Sequence, residues 1–237
     1  MPEHDDRQSP VAIITGGGSG IGLATATRLA GEGWNLVLAG RNAEKLHHAA
    51  ETLEGRAITV QTHVERPADA SRMIDRAIDH FGRLDALVNN AGYAPLVAID
   101  ETTPEQIQQC YAVNAMGPAY AIARAWPHFV LRKSGCIVNI STMGTDDPFP
   151  GFFAYAASKA PCNVMARSCA NEGAEHNIRA FAVAPGAVET EMLRSIFDEK
   201  TIPADKTMDP DKVAEVVCDC ILGKRDDDNG KTIFMPG

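Results

Sequence analysis

Short apolar runs alternate with longer amphipathic stretches along the 237-residue chain. Runs that predict strands lie at 11–15, 35–39, 57–63, 86–89, 136–141, 179–184 and, more weakly, 232–235. Stretches that predict helices lie at 20–31, 42–53, 67–81, 104–133, 155–176 and 210–222. Strands that are apolar on both faces and separated by helices indicate a parallel sheet covered on both sides. Right-handed crossovers then predict an α/β fold with a doubly wound sheet.

Composition and charge narrow the class of protein. The chain is 45% hydrophobic and 22% charged, which is typical of a globular protein, and no repeat or linker divides it. We therefore assign 1–237 to a single domain. The net charge of -9 comes without a Lys/Arg cluster, so we expect no nucleic-acid partner.

No apolar run reaches the ~18 residues that a membrane-spanning helix needs, so we expect no membrane partner. The opening residues MPEHDDRQSP are polar and acidic, unlike a secretory or transit signal. We expect 1–10 to be a mobile tail and the protein to be cytoplasmic. The six cysteines lack the spacing of a metal site, so we predict buried free thiols and no bound metal.

A proline interrupts the ladder of the predicted helix 104–133. Pro118 has no N–H, so it cannot bond the carbonyl of Asn114 four residues earlier. That carbonyl is therefore available to a buried water beside a kink. A kink that serves packing alone is the other interpretation.

The stretch TGGGSGIG, residues 15–22, follows the first predicted strand and opens the first helix. Gly16 permits a tight turn, Gly20 lets the backbone approach a pyrophosphate, and Gly22 lets the helix pack close to the strand. The helix N-terminus adds unpaired N–H groups and a positive dipole end. This placement predicts a dinucleotide site. Its predicted phosphate-binding residues are Gly16, Gly18, Ser19, Gly20 and Ile21.

The second predicted strand indicates which dinucleotide binds. NAD sites usually carry Asp or Glu there for the ribose 2′-OH, whereas this strand ends in Gly40 with Arg41 directly after it. An Arg fork matches a 2′-phosphate, and no carboxylate stands beside it to repel that phosphate. We therefore predict NADP(H) as the cofactor. A solvated loop charge is the alternative for Arg41.

Several motifs together resemble the short-chain dehydrogenase/reductase family. They are TGGGSGIG, NNAG at 89–92, Asn114, the hydroxyl pair Ser141-Thr142, YAASK at 155–159 and PGAVET at 185–190, in the family's order and spacing. The resemblance covers roughly residues 10–237. It implies a Rossmann-type sheet of seven parallel strands and hydride transfer between a nicotinamide and a carbonyl or alcohol carbon.

The resemblance also assigns cofactor contacts beyond the glycine loop. Asn89 would brace the sheet, and PGAVET would close over the nicotinamide. His63 stands where the family usually has Asp, which departs from the family's adenine contact. The residues implied to touch the cofactor are His63, Val64, Asn90, Ala91, Gly92, Tyr155, Lys159, Val188 and Thr190.

The implied catalytic residues are Asn114, Thr142, Tyr155 and Lys159. Lys159 lies one helical turn after Tyr155, so its ammonium should lower the phenol pKa and let Tyr155 act as acid and base. Lys159 would also bind the nicotinamide ribose, and the Asn114 carbonyl would hold a water that resupplies protons. Thr142, thirteen residues before Tyr155, stands where the family usually has serine and would polarise the substrate oxygen. Its neighbour Ser141 should point to the opposite face.

The substrate is expected to be a small carbonyl or alcohol compound without high charge. Its candidate contacts are apolar, namely Leu96, Met143, Phe149, Phe152 and Phe153. The resemblance implies a mobile substrate lid at 191–207. It also implies a homodimer or homotetramer built through the helices at 104–133 and 155–176.

Two other functions compete with an oxidoreductase. The first is a catalytically weak NADP(H)-binding regulatory or sensor protein, suggested by Thr142 and His63. The second is a non-redox epimerase or dehydratase on the same scaffold. Such relatives usually carry a further substrate domain, for which this chain is too short.

Overall fold

A computed structural model of the chain describes residues 9–236. Most of the predicted tail, residues 1–8, lies outside the described residues. The strands are β1 Val11–Thr15, β2 Asn35–Gly40, β3 Ala57–Gln61, β4 Ala86–Asn89, β5 Gly135–Ile140, β6 Ile178–Pro185 and β7 Thr232–Met235. The helices are α1 Gly20–Gly31, α2 Ala43–Glu51, α3 Pro67–Phe81, α4 Pro104–Tyr111, α5 Gly117–Arg132, α6 Phe153–Gly173, α7 Glu191–Arg194 and α8 Pro210–Ile221.

All seven strands are parallel and lie in the order β3-β2-β1-β4-β5-β6-β7. This confirms the predicted α/β, doubly wound, seven-stranded sheet. The chain moves outward from β1 to β3 and then returns to place β4 on the other side of β1. The order of the strands therefore reverses between β1 and β4, and a crevice opens there at the carboxyl ends of the strands.

Two apolar layers cover the sheet because side chains alternate between its faces. On one face Ile14 and Leu38 pack with α1, α2 and α8, through residues such as Leu29, Leu46 and Val217. On the other face Ile13 and Val37 pack with α3, α5 and α6. Helices on both faces leave the strands buried on both sides, as the apolar runs predicted.

The predicted helix 104–133 is three segments rather than one. A π-helical turn at Ala112–Met116 separates α4 from α5, and Pro118 lies in the first turn of α5. Pro118 is tolerated there because the first-turn N–H groups of a helix have no intrahelical partner. The interruption predicted at Pro118 therefore takes the form of a π-helical turn just before it.

Two predicted boundaries shift for local reasons. The third strand ends at Gln61 rather than 63, because the N–H of His63 donates to the Asp69 carboxylate at 2.9 Å and leaves the ladder. The long helix begins at Phe153 and ends at Gly173, where a 3₁₀ turn follows. Pro161 lies inside this helix, and we have no functional account of it.

Candidate active site

A cleft of about 790 Å³ follows the carboxyl ends of the central strands. It runs from Gly18 and Arg41 at one end to Phe197 and Ile202 at the other. Its volume falls in the range of about 300–1,000 Å³ that small-molecule sites occupy. The crevice at the strand reversal is therefore the candidate ligand site.

The glycine-rich loop leaves room that a side chain would remove. Gly16 has φ +66°, and a Cβ there would lie 2.8 Å from Asn90 Nδ2. A Cβ on Gly22 would lie 2.3 Å from the Gly16 carbonyl oxygen, which confirms the close packing of helix on strand predicted there. This close packing lets the loop backbone and the start of α1 line the cleft through Gly16, Gly18, Ser19, Gly20 and Ile21, where helix N-terminal N–H groups suit a pyrophosphate.

Thr15 fixes the NNAG segment beside this cradle. Its Oγ1 accepts from the backbone N–H groups of Asn90 and Ala91 at 2.9 and 3.0 Å and lies 3.3 Å from the Val88 carbonyl. Asn90 Nδ2 donates to the Thr15 carbonyl at 2.8 Å. This role of Thr15 was not predicted, although its place at the head of TGGGSGIG was the available signal.

Asn89 has the bracing role expected of it. Its Nδ2 donates to Asn139 Oδ1 at 2.9 Å, across the β4–β5 pair. Asn139 Nδ2 in turn donates to the Cys162 carbonyl at 3.2 Å. This buried chain of amides ties the sheet to α6.

Two cations line the far end of the cleft. Arg41 is exposed and lines the cleft. Lys45, four residues later in α2, lines it too and forms an ion pair with Glu191. Asn42 caps this helix by accepting from the Lys45 N–H at 3.0 Å. Lys45 was not predicted as a site residue, although its place in the first turn after Arg41 and Asn42 was the available signal.

The loop after β3 is held through the backbone of His63 rather than through its ring. The Asp69 carboxylate accepts from the His63 N–H, which lowers the pKa of Asp69, while burial acts in the opposite direction. His63 Nδ1 lies 3.3 Å from Glu65 Oε1, and the His63 side chain does not line the cleft. Val64 does line it. Only Val64 of the predicted adenine pair is therefore placed to meet a ligand.

The predicted catalytic side chains meet at the middle of the cleft. The Thr142 hydroxyl lies beside the Tyr155 phenol, close enough to act on the pKa of that phenol. Lys159 is 3% exposed, and its Nζ donates to the Ile140 carbonyl at 2.7 Å. The Thr142 Oγ1 accepts from the Gly144 N–H at 3.2 Å, which fixes its orientation. Strand β5 and helix α6 thus bring together residues from two predicted motifs.

The pKa of Tyr155 moves opposite to the expectation. Burial raises it to about 12, and the Thr142 hydroxyl opposes this rise. Burial likewise lowers the pKa of Lys159. The expected lowering of the Tyr155 pKa was wrong for this state, because burial disfavours the phenolate and outweighs the effect of Thr142. The neutral phenol is the stable form at neutral pH, and it is a proton donor.

Ser141 differs from its neighbour in its surroundings. It is 2% exposed, and its Oγ has no hydrogen-bond partner among the described residues. Its backbone N–H continues the β5–β6 ladder to the Val183 carbonyl at 2.7 Å. Thr142, not Ser141, is therefore the hydroxyl in contact with Tyr155.

Asn114 joins the NNAG loop to the catalytic helix. Its Oδ1 accepts from the Tyr93 N–H at 2.9 Å, and its Nδ2 donates to the Tyr93 carbonyl at 2.8 Å and to Ser158 Oγ at 2.9 Å. The Ser158 hydroxyl donates to the Tyr155 carbonyl at 2.8 Å. The side chain of Asn114 thus positions the helix that carries Tyr155.

The missing N–H of Pro118 predicted that the Asn114 carbonyl would be free for a water. It is not free. The Cys162 thiol donates to it with a sulfur–oxygen distance of 3.3 Å. The thiol comes from α6, so nothing in the local sequence around Pro118 indicated it. All six cysteines are buried free thiols, as predicted.

An ion pair between Glu189 and Arg194 holds the segment 191–207 in place. Glu189 accepts from Arg194 Nε at 2.6 Å and from the Thr207 hydroxyl at 2.9 Å, and Arg194 also donates to the Ile202 carbonyl at 2.7 Å. Thr190 caps α7 by accepting from the Leu193 N–H at 3.2 Å. The segment predicted to be a lid is therefore folded and has its own hydrogen-bond network.

Three phenylalanines surround the other end of the cleft. The ring centroids of Phe149, Phe152 and Phe197 lie 6.1–6.2 Å apart, and that of Phe152 lies 5.3 Å from that of Tyr155. Phe197, from the lid, is 7% exposed and was missed in the sequence. Of the expected substrate contacts, Met143, Phe149 and Phe152 line the cleft. Leu96 and Phe153 do not.

A model of the short chain dehydrogenase family matches residues 10–201. The chain belongs to the short-chain dehydrogenase/reductase family. Relatives include an uncharacterised oxidoreductase of Listeria monocytogenes, 34% identical over 89% of each chain. A 3β-hydroxysteroid dehydrogenase of Eggerthella lenta is 32% identical over 99% of this chain and 95% of its own. A 3-ketoacyl-(acyl-carrier-protein) reductase of Brucella melitensis, solved with NADH, has a TM-score of 0.90 at 27% identity, over 95% of this chain and 96% of its own.

Membership confirms the resemblance, the Rossmann-type fold and the oxidoreductase class. Short-chain dehydrogenases bind a nicotinamide cofactor and act on small molecules, and the cleft has the glycine cradle for such a cofactor. Within residues 9–236, no helix combines the length and apolar character that crossing a membrane requires.

Proposed function

We propose that this chain is an NADP(H)-dependent oxidoreductase that transfers a hydride between the nicotinamide and a carbonyl or secondary-alcohol carbon. One observation carries the proposal. The Thr142 hydroxyl, the Tyr155 phenol and the Lys159 ammonium converge in a cleft whose other end is a glycine cradle. A proton donor beside a cofactor site is what reversible carbonyl reduction needs.

Residues along the cleft have separate parts in holding the cofactor. The loop after β1 faces the pyrophosphate, NNAG and Val64 face the adenosine side, and the segment after β6 faces the nicotinamide. These residues are Gly16, Gly18, Ser19, Gly20, Ile21, Val64, Asn90, Ala91, Gly92, Val188 and Thr190. When bound, the cofactor supplies or accepts the hydride at its nicotinamide ring.

Side chains of the protein supply the proton that the carbonyl oxygen receives. As the hydride adds to the carbonyl carbon, Tyr155 Oη–H transfers its proton to the carbonyl oxygen, which gives the alcohol. The Thr142 hydroxyl donates to the same oxygen and stabilises the charge that develops on it. The Lys159 ammonium then returns a proton to the phenolate. Its lowered pKa favours that release, because burial disfavours the charged form.

Arg41 supports the choice of NADP(H). Its guanidinium makes no side-chain hydrogen bond or ion pair with another described residue, and Lys45, in the first turn of α2, lines the same cleft and pairs with Glu191. Gly40 supplies no carboxylate for a ribose 2′-OH. Two cations without a competing acid on β2 fit a 2′-phosphate. The Brucella structure contains NADH, so the cofactor is the first quantity to measure.

The test is a panel of ketones with NADPH and, separately, NADH, followed by the loss of nicotinamide absorbance. We expect turnover with NADPH and a strong loss in Tyr155→Phe. A wild type that binds NADPH tightly but reduces no ketone would favour the sensor alternative. Equal kcat/KM with both cofactors would contradict the assignment of NADP(H) while leaving the enzyme class intact.

We further propose that 1–237 form one domain and that copies associate through the helices at 104–133 and 155–176. Apolar side chains exposed on these helices support the association, namely Tyr111, Met116, Leu131 and Val164. Light scattering on the purified protein would distinguish a monomer from a dimer or tetramer. Residence in the cytoplasm stays a prediction from the sequence.

A further inference from the structure

The end of the cleft beyond Tyr155 has an aromatic wall. Phe149 and Phe152 come from the turn before α6, and Phe197 comes from the lid. Phe197 meets Phe149 at 86° and Phe152 at 79°, both edge-to-face arrangements. We call these three residues the phenylalanine cluster. Aromatic rings in such contacts offer faces and edges to a further ring, which gains from offset or T-shaped packing.

The cluster lies one ring away from the proton donor. Phe152 lies between Tyr155 and the other two phenylalanines, at 5.3 Å from the Tyr155 ring. A substrate whose carbonyl oxygen meets Tyr155 therefore has its neighbouring carbon substituent against Phe152. Phe149 is 57% exposed at this end, so an occupant would cover apolar surface that now faces water.

The charged residues that line the cleft disfavour an anionic substrate group beside the phenylalanine cluster. The cations that line the cleft are Arg41, Lys45 and the buried Lys159, and Lys45 is already paired with Glu191. The acids that line it are Glu65, Asp147 and Glu191, of which Asp147 lies two residues before Phe149 and Glu191 six before Phe197. A carboxylate or phosphate here would lose water without gaining a partner and would meet a like charge.

We propose that the substrates of this site are neutral ketones that carry a flat, unsaturated ring near the carbonyl, bound against the phenylalanine cluster. This inference rests on the proposed oxidoreductase function and specifies its substrate class. Because Phe197 belongs to the lid, the ring of the substrate also contacts the segment that closes over it.

The experiment uses four ketones with the wild-type protein and NADPH. Benzylacetone carries a phenyl ring, and its ring-saturated analogue has the same carbon skeleton and an equally unconjugated carbonyl. A para-carboxylate derivative of benzylacetone adds one negative charge, and butanone has no ring. We expect kcat/KM for benzylacetone to exceed that for the saturated analogue by about two- to tenfold, mainly through KM. The carboxylate derivative should be the poorest of the ring compounds.

Variants separate the cluster from the rest of the site. Phe152→Leu and Phe149→Leu should remove the preference for the phenyl ring, read in each variant as the ratio of kcat/KM for benzylacetone to kcat/KM for the saturated analogue. Phe153→Leu is the matched control, because Phe153 is adjacent in sequence, 48% exposed and outside the cleft. It should keep the preference. Phe149 is exposed, so its replacement tests the cluster even if Phe152→Leu does not fold.

The outcomes distinguish the two proposals. If no ketone of the four is reduced, the oxidoreductase function fails for this substrate range and the inference fails with it. If kcat/KM for butanone and for the saturated analogue equals that for benzylacetone, the oxidoreductase function is supported and the aromatic substrate class is wrong. Equal use of the carboxylate derivative would overturn the requirement for a neutral substrate.

Discussion

Replacing Thr142 by valine tests which hydroxyl polarises the substrate. Valine keeps nearly the same shape but removes the donor that contacts Tyr155 and the acceptor for the Gly144 N–H. Losing one donor to a developing oxyanion usually lowers kcat by about 10²–10³-fold, or about 3–4 kcal/mol of transition-state stabilisation. We therefore expect at least a ~10²-fold loss of turnover.

The same substitution has a separate and smaller effect on stability. The part-buried Gly144 N–H loses its 3.2 Å hydrogen bond, which should cost about 0.5–1.5 kcal/mol. For a chain of this length that shifts Tm by roughly 2–4 °C per kcal/mol. Thermal unfolding and stopped assays on the same preparation therefore separate a loss of chemistry from a loss of fold. Thr142→Ser restores the hydroxyl and should stay active.

Ser141→Ala is the matched control. The Ser141 Oγ is buried without a partner among the described residues, so its removal should leave turnover within a few-fold and should not lower Tm. The reasoning is refuted if Thr142→Val keeps full activity while Ser141→Ala is inactive. In that case the functional hydroxyl lies one residue earlier.

Three further substitutions test the site and its support. Tyr155→Phe should lose about 10²–10⁴-fold in turnover with NADPH affinity within a few-fold, measured by kinetics and titration calorimetry. Gly40→Asp with Arg41→Ala should reverse the cofactor preference and lower the NADPH affinity by about ten- to a hundredfold. A side chain at position 40 fits, because a Cβ there would lie 3.5 Å from a Leu46 methyl. An unchanged preference would contradict the assignment of NADP(H). Asp69→Asn should destabilise the protein at pH values above the unfolded-state pKa of about 3.9. The pKa of Asp69 is lowered in the folded state, so its carboxylate contributes stability there that is lost as the pH falls. A stability difference from wild type that grows in acid, measured by denaturation, would contradict this.

The sequence predicted the parts of the structure that depend on local pattern. The sheet followed from the apolar runs, and the cradle followed from Gly16 and Gly22, whose tight contacts leave no room for a side chain. The spacing of Thr142 and Tyr155 also indicated that the Thr142 hydroxyl would lie beside the phenol.

What the sequence did not predict depends on distant residues. The Lys45 ion pair joins residues 146 positions apart, and the Cys162 thiol reaches a carbonyl 48 positions earlier. The direction of the Tyr155 pKa required knowing its burial, which is a property of the packed structure. Phe153 looked like a cleft residue beside Phe152, but adjacent residues on a helix point in different directions.

The order of the sheet imposes a delay during synthesis. Strand β1 pairs with β2 on one side, as in Ile13 with Val37, but its other partner is β4, as in Ile13 with Leu87. At about 5–20 residues per second, the ribosome takes several seconds to supply that second partner. One edge of the buried strand β1 therefore stays unpaired in the growing chain until β4 has been made, and an unpaired strand edge is a site of aggregation. The strand reversal that forms the ligand crevice thus also leaves the centre of the sheet unpaired for longer than pairing in chain order would.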